Sequence, residues 1–344
     1  MRERNYIEDY KSIDIMKFIA SIMVVCIHTL PFQSINPIID NIIVGIGCRV
    51  AVPFFFITSG FLLFIKFNEN KSENRKKVIK YIMSIIKVYM IWSIVYLILD
   101  NILGRNSSFT QIISKIFTSG VALQMWYFPA IIISIFIVYL WNEKLKLKGF
   151  IWGSIILYCI GLLGTTYYHI LYNIPSIKQI IDCIIRIFGT TRNGVFFGVP
   201  YVGLGCIIAY KYKENYNGLL EKIKKIIILF ITFIIIMSCE GLIIAKNIPN
   251  IKGRDMFILL PFVSYFLFLF VLSVNKYFKN DYKALRELST LIFVTHIGIM
   301  YFININNTLL KFLITISISL TISILIIHIK SKLIVLKKQS IINQ

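Results

Sequence analysis

The apolar segment IDIMKFIASIMVVCIHT, residues 13–29, contains two side chains that can do chemistry, Lys17 and His28. They lie eleven residues apart, close to three helical turns, so both project from one helix face about 16 Å apart along the axis. A cation in such a segment suits a phosphate group, and an imidazole suits removal of a proton from a hydroxyl group. Structural interpretations stay open as well, because Lys17 can extend to lipid phosphates and His28 can hydrogen-bond a neighbouring helix.

Two more lysines form a predicted cationic group with Lys17. Lys80 and Lys87 lie seven residues apart in KYIMSIIKVYMIW, so they share a helix face. Charge is costly within a bilayer, which favours a function for Lys87, whereas Lys80 is also typical of an anchor at the membrane surface. Together the three lysines suit a donor substrate that carries phosphate groups.

A second predicted group contains His28, Arg49, Arg192 and Glu240. Arg49 begins an apolar segment, Arg192 precedes a glycine-rich segment that suits a cavity wall, and Glu240 is the only carboxylate well inside an apolar segment. Because an unpaired carboxylate is costly in a bilayer, we expect Glu240 to pair with His28 or Arg192. This group suits proton transfer from a sugar hydroxyl.

Three further polar side chains, Ser59, Trp126 and His296, are candidates for lining an acceptor cavity. Each also has a structural interpretation: close approach of two helices at Ser59-Gly60, an aromatic belt at Trp126, and a hydrogen-bonded packing residue at His296. The six cysteines are scattered, mostly inside apolar segments, and indicate neither a disulfide framework nor a metal site.

The composition indicates a membrane protein. Hydrophobic residues make up 57% and charged residues 15% of the 344 residues, and apolar runs of roughly 20 residues recur along the chain. We therefore predict an all-α fold, a polytopic integral membrane helical bundle in the plasma membrane. It forms a single transmembrane domain over residues 1–344 with no soluble domain. The ten predicted spans are 13–32, 49–67, 78–100, 124–141, 150–171, 190–210, 223–244, 256–273, 288–303 and 309–329.

The lysine and arginine residues predict the orientation of the bundle. Of these 37 residues, 25 fall in segments on one side of the predicted spans and nine on the other. The excess of positive charge marks the cytoplasmic side, so we expect both termini in the cytoplasm. The net charge of +21 is then a topology signal and an attraction to anionic lipid. We expect the lipid bilayer, and not nucleic acid, as a partner.

The ordered motifs resemble the acyltransferase 3 family of integral membrane acyltransferases. The spacing Lys17-x10-His28 matches the family's basic-x10-His motif, and FFFITSGFLL, residues 54–63, is similar to its FFxxSGFLL. LSTLIFVTHIGIM, residues 288–300, resembles the family's late SxxxYLxH element. Residues 80–89 stand where the family has an RxxR-like stretch, but with wider spacing and Lys at both positions. TRNGVFFG, from Thr191, resembles a sub-branch of stand-alone O-acetyltransferases and membrane halves of membrane-bound serine racemases.

The resemblance implies transfer of an acyl group, most often acetyl from acetyl-CoA, to a hydroxyl of a cell-envelope polysaccharide or a related small acceptor. Acyl-CoA is then a co-substrate, with no bound cofactor. His28 acts as general base or carries the acyl group, and Glu240 orients its imidazole. Lys17, Lys80 and Lys87 bind the donor. The residues expected at the acceptor or in the cavity are Arg49, Ser59, Trp126, Arg192 and His296.

Other interpretations of the same residues stay open. Succinyl is an alternative to acetyl, and the oligomeric state is left open. A transporter of a small polar solute or of a lipid-linked sugar is the alternative function, in which Glu240 and His296 relay protons. An enzyme transfers acetyl groups in detergent solution, whereas a transporter needs a sealed vesicle.

Overall fold

The computed structural model describes residues 9–105, 107–214, 222–247 and 254–342. In these ranges the regular secondary structure is helical, and no strand occurs. The ends of the predicted domain, residues 1 and 344, lie outside them. The α-helices are α1 (Lys11–Thr29), α2 (Pro37–Asp40), α3 (Ala51–Phe64), α4 (Lys71–Ile102), α5 (Phe109–Phe117), α6 (Tyr127–Lys144), α7 (Leu147–Leu163), α8 (Pro175–Phe188), α9 (Val199–Glu214), α10 (Ile223–Asn247), α11 (Leu260–Ser273), α12 (Lys283–Met300) and α13 (Thr308–Ile342). Short π-helices (Asn41–Ile46, Gly194–Gly198) and 3₁₀-helices (Gly47–Val50, Tyr168–Asn173, Asn275–Tyr277) join some of them.

Seven helical stretches of the described chain are long and apolar enough to cross a membrane. They are Lys11–Thr29, Pro37–Phe64, Lys71–Ile102, Gly194–Glu214, Ile223–Lys246, Leu260–Tyr277 and Thr308–Leu333. The other three predicted spans, 124–141, 150–171 and 288–303, coincide with α6, α7 and α12. All ten predicted segments are therefore helical, while ten crossings and two cytoplasmic termini stay predictions.

Helix α3 lies at the centre of the bundle because it is apolar on every side. It packs most extensively against α9 and also contacts α1, α4 and α11. Glycine makes the crossing with α9 close: a Cβ atom on Gly60 would lie 2.3 Å from the Val202 carbonyl oxygen, and one on Gly205 would lie 2.2 Å from that of Ile57. The close helix approach predicted at Ser59-Gly60 is confirmed.

An ion pair between a buried carboxylate and a half-exposed guanidinium fixes the first turn of α1 against α12. The Arg286 guanidinium donates to both carboxylate oxygens of Asp14, each over 2.8 Å, and Asp14 is 4% exposed. Such paired, planar contacts set the orientation of both groups. The pair lies one turn before Lys17 on α1, so it positions the segment that carries this lysine.

The two longest connections between predicted spans, 101–123 and 172–189, contain short amphipathic helices, α5 and α8. Ser108 and Gln111 form a capping box that begins α5. On α8, Lys178 lies 2.7 Å from the Asp182 carboxylate, and Tyr168 donates to the same group over 2.5 Å. These hydrogen bonds hold the pKa of Asp182 below its ordinary value. Both helices also expose large apolar side chains.

Candidate active site

A cavity of about 1100 Å³ opens beside His28 and is called the His28 cavity here. Its charged lining residues in the described chain are Arg49, Arg192 and Asp255, and Trp126 contributes an aromatic wall. His28 lies in the last turn of α1, which ends at Thr29. Leu30 then adopts a left-handed conformation (φ 51°), and its N–H group donates to the Cys26 carbonyl over 2.8 Å. This turn directs the chain away and leaves His28 at the cavity wall.

Asp255 joins the two arginines of the cavity. One of its oxygens accepts from the Arg49 guanidinium, and the other accepts from Arg192 Nη1 over 2.7 Å. The three groups come from the turn before α3, the segment before the π-helix at 194–198, and the segment before α11. Burial favours the neutral acid, but the positive charges of Arg49 and Arg192 outweigh this and hold the pKa of Asp255 below its ordinary value.

The TRNGVFFG segment brings Arg192 to the cavity. The Asn193 side chain accepts hydrogen bonds from the backbone N–H groups of Val195 and Phe196 over 2.9 and 3.1 Å, which starts a helix directly after Arg192. A Cβ atom on Gly194 would lie 2.5 Å from the Ala130 carbonyl oxygen, so glycine permits contact with α6. Arg192 lies over the Trp126 ring at 5.0 Å, a cation–π contact.

His296 lies beside His28, with 5.3 Å between their ring centroids. It is completely buried on α12, and its Nδ1 is 3.0 Å from the Ile292 carbonyl oxygen. Nδ1 therefore carries the proton, because a carbonyl oxygen accepts only. The other nitrogen, Nε2, is buried without a hydrogen-bond partner among the described residues. His28 thus has a cavity beside it and an unoccupied acceptor atom close by.

Polar contacts from α4 and from the turn before α6 fix the turn of α12 that carries His296. The Tyr96 hydroxyl donates to the Val294 carbonyl over 2.7 Å and accepts from the Gly298 N–H over 3.0 Å. Gln124 Nε2 donates to the same hydroxyl over 2.7 Å. All of these contacts are buried, which makes them costly to break.

A second cavity of about 300 Å³ contains Lys17 and is called the Lys17 cavity here. Hydroxyl groups line it, including those of Thr58, Ser59 and Tyr127. The Ser59 and Tyr127 hydroxyl oxygens are 3.5 Å apart. Within the described part of the chain, the Lys17 ammonium group has no hydrogen-bond or ion-pair partner. Ser59, predicted at the acceptor, lies in this cavity and not beside His28.

Three aromatic side chains of the Lys17 cavity form a cluster that reaches His296. Phe55, Tyr127 and Phe293 contact one another with ring centroids 5.5–6.2 Å apart. Phe293 also lies 6.3 Å from the His296 ring, whereas all three aromatic side chains line the Lys17 cavity. Phe293 therefore lies between the Lys17 cavity and His296, and the cluster of these three rings is called the aromatic barrier here.

The partner predicted for Glu240 is wrong. Its carboxylate accepts from the Tyr167 hydroxyl and from the Ile258 N–H group, the latter over 2.7 Å, and it does not line the His28 cavity. The depth of a residue in a span predicts its level in the bundle but not the direction in which its helix face points. Asp255, in a short segment that drew no attention in the sequence, is the carboxylate at this cavity.

Lys80 and Lys87 share a face of α4, as predicted, but that face is exposed and lines neither cavity. The neighbouring face of α4, with Tyr81, Ile85 and Val88, lines the Lys17 cavity instead. The predicted cationic group of three lysines is therefore not assembled. No group of three or more His, Cys, Asp or Glu residues in the described ranges is arranged to hold a metal ion.

Comparison with known proteins identifies relatives over most of the chain. It is 33% identical over 339 residues to an amino-acid racemase of Enterococcus faecalis, which covers 95% of this chain and 47% of that protein. It is 28% identical over 291 residues to a serine/alanine racemase of Enterococcus gallinarum, covering 83% of this chain and 40% of that protein. The chain therefore spans less than half the length of these two relatives. No solved structure matches it.

The family comparison agrees with the motifs. The acyltransferase domain of the acyltransferase 3 family matches residues 10–328, a range that contains both cavities. The relatives named as racemases agree with the sub-branch indicated by TRNGVFFG. The chain belongs to the acyltransferase 3 family of membrane proteins.

Proposed function

We propose that the protein transfers an acyl group, acetyl in the simplest case, from acyl-CoA to a hydroxyl group of an acceptor bound in the His28 cavity. One observation carries this proposal: His28 lines a cavity of about 1100 Å³ and lies 5.3 Å from the buried ring of His296. An imidazole with space on one side and a fixed neighbour on the other is suited to general base catalysis.

His296 takes the positioning role that Glu240 was expected to have. Its Nδ1–H donates to the Ile292 carbonyl, so its Nε2 lone pair is free to accept an N–H from His28 after a small rotation of the ring. The other nitrogen of His28 then carries a lone pair and serves as the base. His28 also lies at the C-terminal end of α1, where the helix dipole favours the positive charge that forms during the reaction.

The reaction then proceeds as a nucleophilic substitution at the thioester. His28 removes the proton of the acceptor hydroxyl while the hydroxyl oxygen attacks the carbonyl carbon of the thioester. The carbon–sulfur bond breaks, and the proton on His28 passes to the leaving thiolate, which gives the ester and free CoA. His28 ends the cycle in its starting protonation state.

The Lys17 cavity supports a donor site on the other side of the barrier. Its volume of about 300 Å³ is suited to the slender acyl-pantetheine arm, with the nucleotide outside it. The Lys17 ammonium group lacks a partner among the described residues and suits an anionic or strongly polar part of the donor. The barrier at Phe55 and Phe293 must open for the thioester to approach His28.

We place the donor side in the cytoplasm of a plasma-membrane protein, following the positive-inside rule. The acceptor is then a hydroxyl compound of the cell envelope, such as a polysaccharide, on the opposite side. The alternative, a transporter with Glu240 and His296 as a proton relay, receives no support from their contacts. Glu240 pairs with Tyr167, and His296 lies against His28.

The test uses the purified protein in detergent with labelled acetyl-CoA. The wild-type protein is expected to release free CoA and to label hydroxyl acceptors, and His28→Ala is expected to lose this activity by about 100-fold or more. Lys17→Glu is expected to weaken acetyl-CoA binding. His328→Ala, which removes an exposed histidine from α13, is the matched control and is expected to change neither measurement. Full transfer by His28→Ala would contradict the proposal.

A further inference from the structure

We infer that the acceptor carries an anionic group, a carboxylate or a phosphodiester, and that Arg49 and Arg192 bind this group in the His28 cavity. The identification of the ligand as the acceptor rests on the proposed function, whereas the anion site itself is inferred from the geometry of the arginines. The inference gives the acceptor a chemical class that the motifs leave open.

The first reason is charge balance. Among the described residues that line the His28 cavity, two side chains are positive, Arg49 and Arg192, and one is negative, Asp255. The low pKa of Asp255 keeps this carboxylate ionised at neutral pH, so the group has one excess positive charge. An excess charge in a protein cavity is costly unless a counter-charge joins it. A ligand with one negative charge balances the site.

The second reason is the number of unused hydrogen-bond donors. A guanidinium group has five N–H donors. Arg49 uses one on Asp255 and directs Nε at the Gly45 carbonyl over a long 3.4 Å, while Arg192 uses one on Asp255. Their remaining N–H groups have no hydrogen-bond partner in the described part of the chain. The Arg49 side chain is only 10% exposed, so its free donors are largely withdrawn from bulk water.

The third reason is that both guanidinium groups are held in place before any ligand arrives. Asp255 uses one oxygen for each arginine, which sets the two groups side by side. Arg192 is further restrained by its contact with the Trp126 ring at 5.0 Å. Two fixed guanidinium forks match the paired oxygens of a carboxylate or a phosphodiester. Such preorganisation lowers the cost of ordering side chains on binding.

The position of the arginines relates the anion to the reaction. They line the same cavity as His28, so an acceptor held by its anionic group presents its hydroxyl group within that cavity. In the alternative interpretation, the arginines only connect three chain segments through Asp255. The cavity would then have no preference for anionic compounds. The charge of the acceptor is therefore the property to vary.

The experiment compares three hydroxyl compounds on the purified full chain in detergent. Galacturonate offers a carboxylate, glycerophosphoglycerol offers a phosphodiester, and galactose matches the first probe without its charge. Binding is measured by calorimetry at low ionic strength, and acetyl transfer is measured with labelled acetyl-CoA. We expect at least one anionic probe to bind about tenfold or more tightly than galactose, since it makes charge-assisted hydrogen bonds.

Variants separate the cavity arginines from general charge effects. Arg192→Gln is expected to reduce the preference for the anionic probe about tenfold. Arg186→Gln removes the same charge from an exposed position on α8 and is expected to leave the preference unchanged. Arg192→Lys keeps the charge without the fork and is expected to retain part of the preference.

The outcomes distinguish this inference from the proposed function. Equal binding of all three probes by the wild-type protein would overturn the anion site, whether or not acetyl transfer occurs. Tight binding of an anionic probe by His28→Ala, with transfer abolished, would support both. Tight anion binding without transfer by the wild-type protein would support the anion site while contradicting the proposed function. A preference for one anionic probe over the other identifies the group as carboxylate or phosphodiester.

Discussion

At the residue scale, the proposed function depends on His28 and its surroundings. The imidazole lines a cavity that contains three charged groups, while the ring of His296 lies 5.3 Å away in the dry interior. His296 in turn is fixed by the Ile292 carbonyl and by the turn that Tyr96 holds. In the proposed mechanism, His296 accepts a hydrogen bond from His28 and so holds the base in one tautomer, as the third member of a catalytic triad does.

Substitution of His296 tests whether it positions His28. Gln offers a carbonyl oxygen that can accept the His28 N–H, whereas Leu offers no acceptor. We expect His296→Gln to retain most activity and His296→Leu to lower kcat about tenfold, with little change in KM for acetyl-CoA, because one hydrogen bond to the base is lost. The pH profile of kcat should shift for the Leu variant. Equal losses in both variants, with an unchanged profile, would show that His296 only fills space.

Substitution of Asp255 tests how much its carboxylate stabilises the protein and how this stabilisation depends on pH. Asp255→Asn leaves two arginines without a counter-charge, so we expect a loss of about 3 kcal/mol in the free energy of unfolding near neutral pH. The native pKa of Asp255 lies below the ordinary value of 3.8. The ionised carboxylate therefore stabilises the native protein fully above pH 5, and the advantage over Asn shrinks as the pH falls below about 4. Thermal unfolding of both proteins in detergent from pH 8 to pH 3.5 measures this difference in stability.

A difference in stability between the wild-type protein and Asp255→Asn that grows as the pH falls would contradict this predicted pH dependence. Lys178→Gln is a useful comparison, because it removes one partner of an exposed ion pair on α8. We expect a much smaller effect there, since pairs open to water contribute little.

The sequence predicted some of the site residues and missed others for physical reasons. Arg49, Trp126 and Arg192 stand at the ends of apolar segments, where membrane anchors are common, and the fold shows that all three line the His28 cavity. Asp255 was missed because a charged residue in a short connecting segment is unremarkable by itself. Only the fold brings it between two arginines that are distant in sequence.

At the element scale, the contact between α3 and α9 is the most extensive contact between helices in the described part of the chain. Arg49 precedes α3 and Arg192 precedes the helical segment that continues into α9. The close contact at Gly60 and Gly205 therefore sets the spacing of the two arginines as well as the core. Membrane helices that approach this closely use small residues at the crossing.

Replacement of Gly60 tests the role of this crossing. A Cβ atom there would lie 2.3 Å from the Val202 carbonyl oxygen, a backbone atom that cannot rotate away. We expect Gly60→Ala to separate α3 from α9 and to cost about 1–3 kcal/mol in stability. Gly149→Ala, on α7, meets no atom within 4 Å and is expected to be neutral or slightly stabilising. Thermal unfolding of the two variants in detergent compares them, and equal stability would contradict the prediction.

Hydropathy predicted the long helices well and the short or directional features poorly. Each predicted span falls on a helix because long apolar runs have few other solutions in a bilayer. The amphipathic α5 and α8 escaped because they are short and only half apolar. The spacing of Lys80 and Lys87 predicted a shared face, but nothing in the spacing showed that this face points away from the cavities.

At the scale of the whole molecule, the two cavities are offset along α1, which contributes Lys17 to one and His28 to the other. The aromatic barrier of Phe55, Tyr127 and Phe293 reaches from the Lys17 cavity to His296. The eleven-residue spacing corresponds to about 16 Å, roughly half of a bilayer's apolar core. Donor and acceptor therefore reach the reaction from opposite sides of the membrane in the mechanism proposed above.

Sidedness is testable in sealed vesicles. Acetyl-CoA is trapped inside vesicles that contain the protein, and a membrane-impermeant hydroxyl acceptor is added outside. Protein molecules inserted with the Lys17 end inward are expected to label the outer acceptor. With acetyl-CoA outside and the acceptor trapped inside, molecules of the opposite orientation are expected to carry out the transfer. With both substrates on one side only, transfer should be negligible in either case, because the aromatic barrier separates the sites. Transfer that requires both substrates on one side would contradict the two-sided arrangement. Lys17→Glu should abolish transfer whether acetyl-CoA is inside or outside the vesicles, since molecules of either orientation use the same donor cavity.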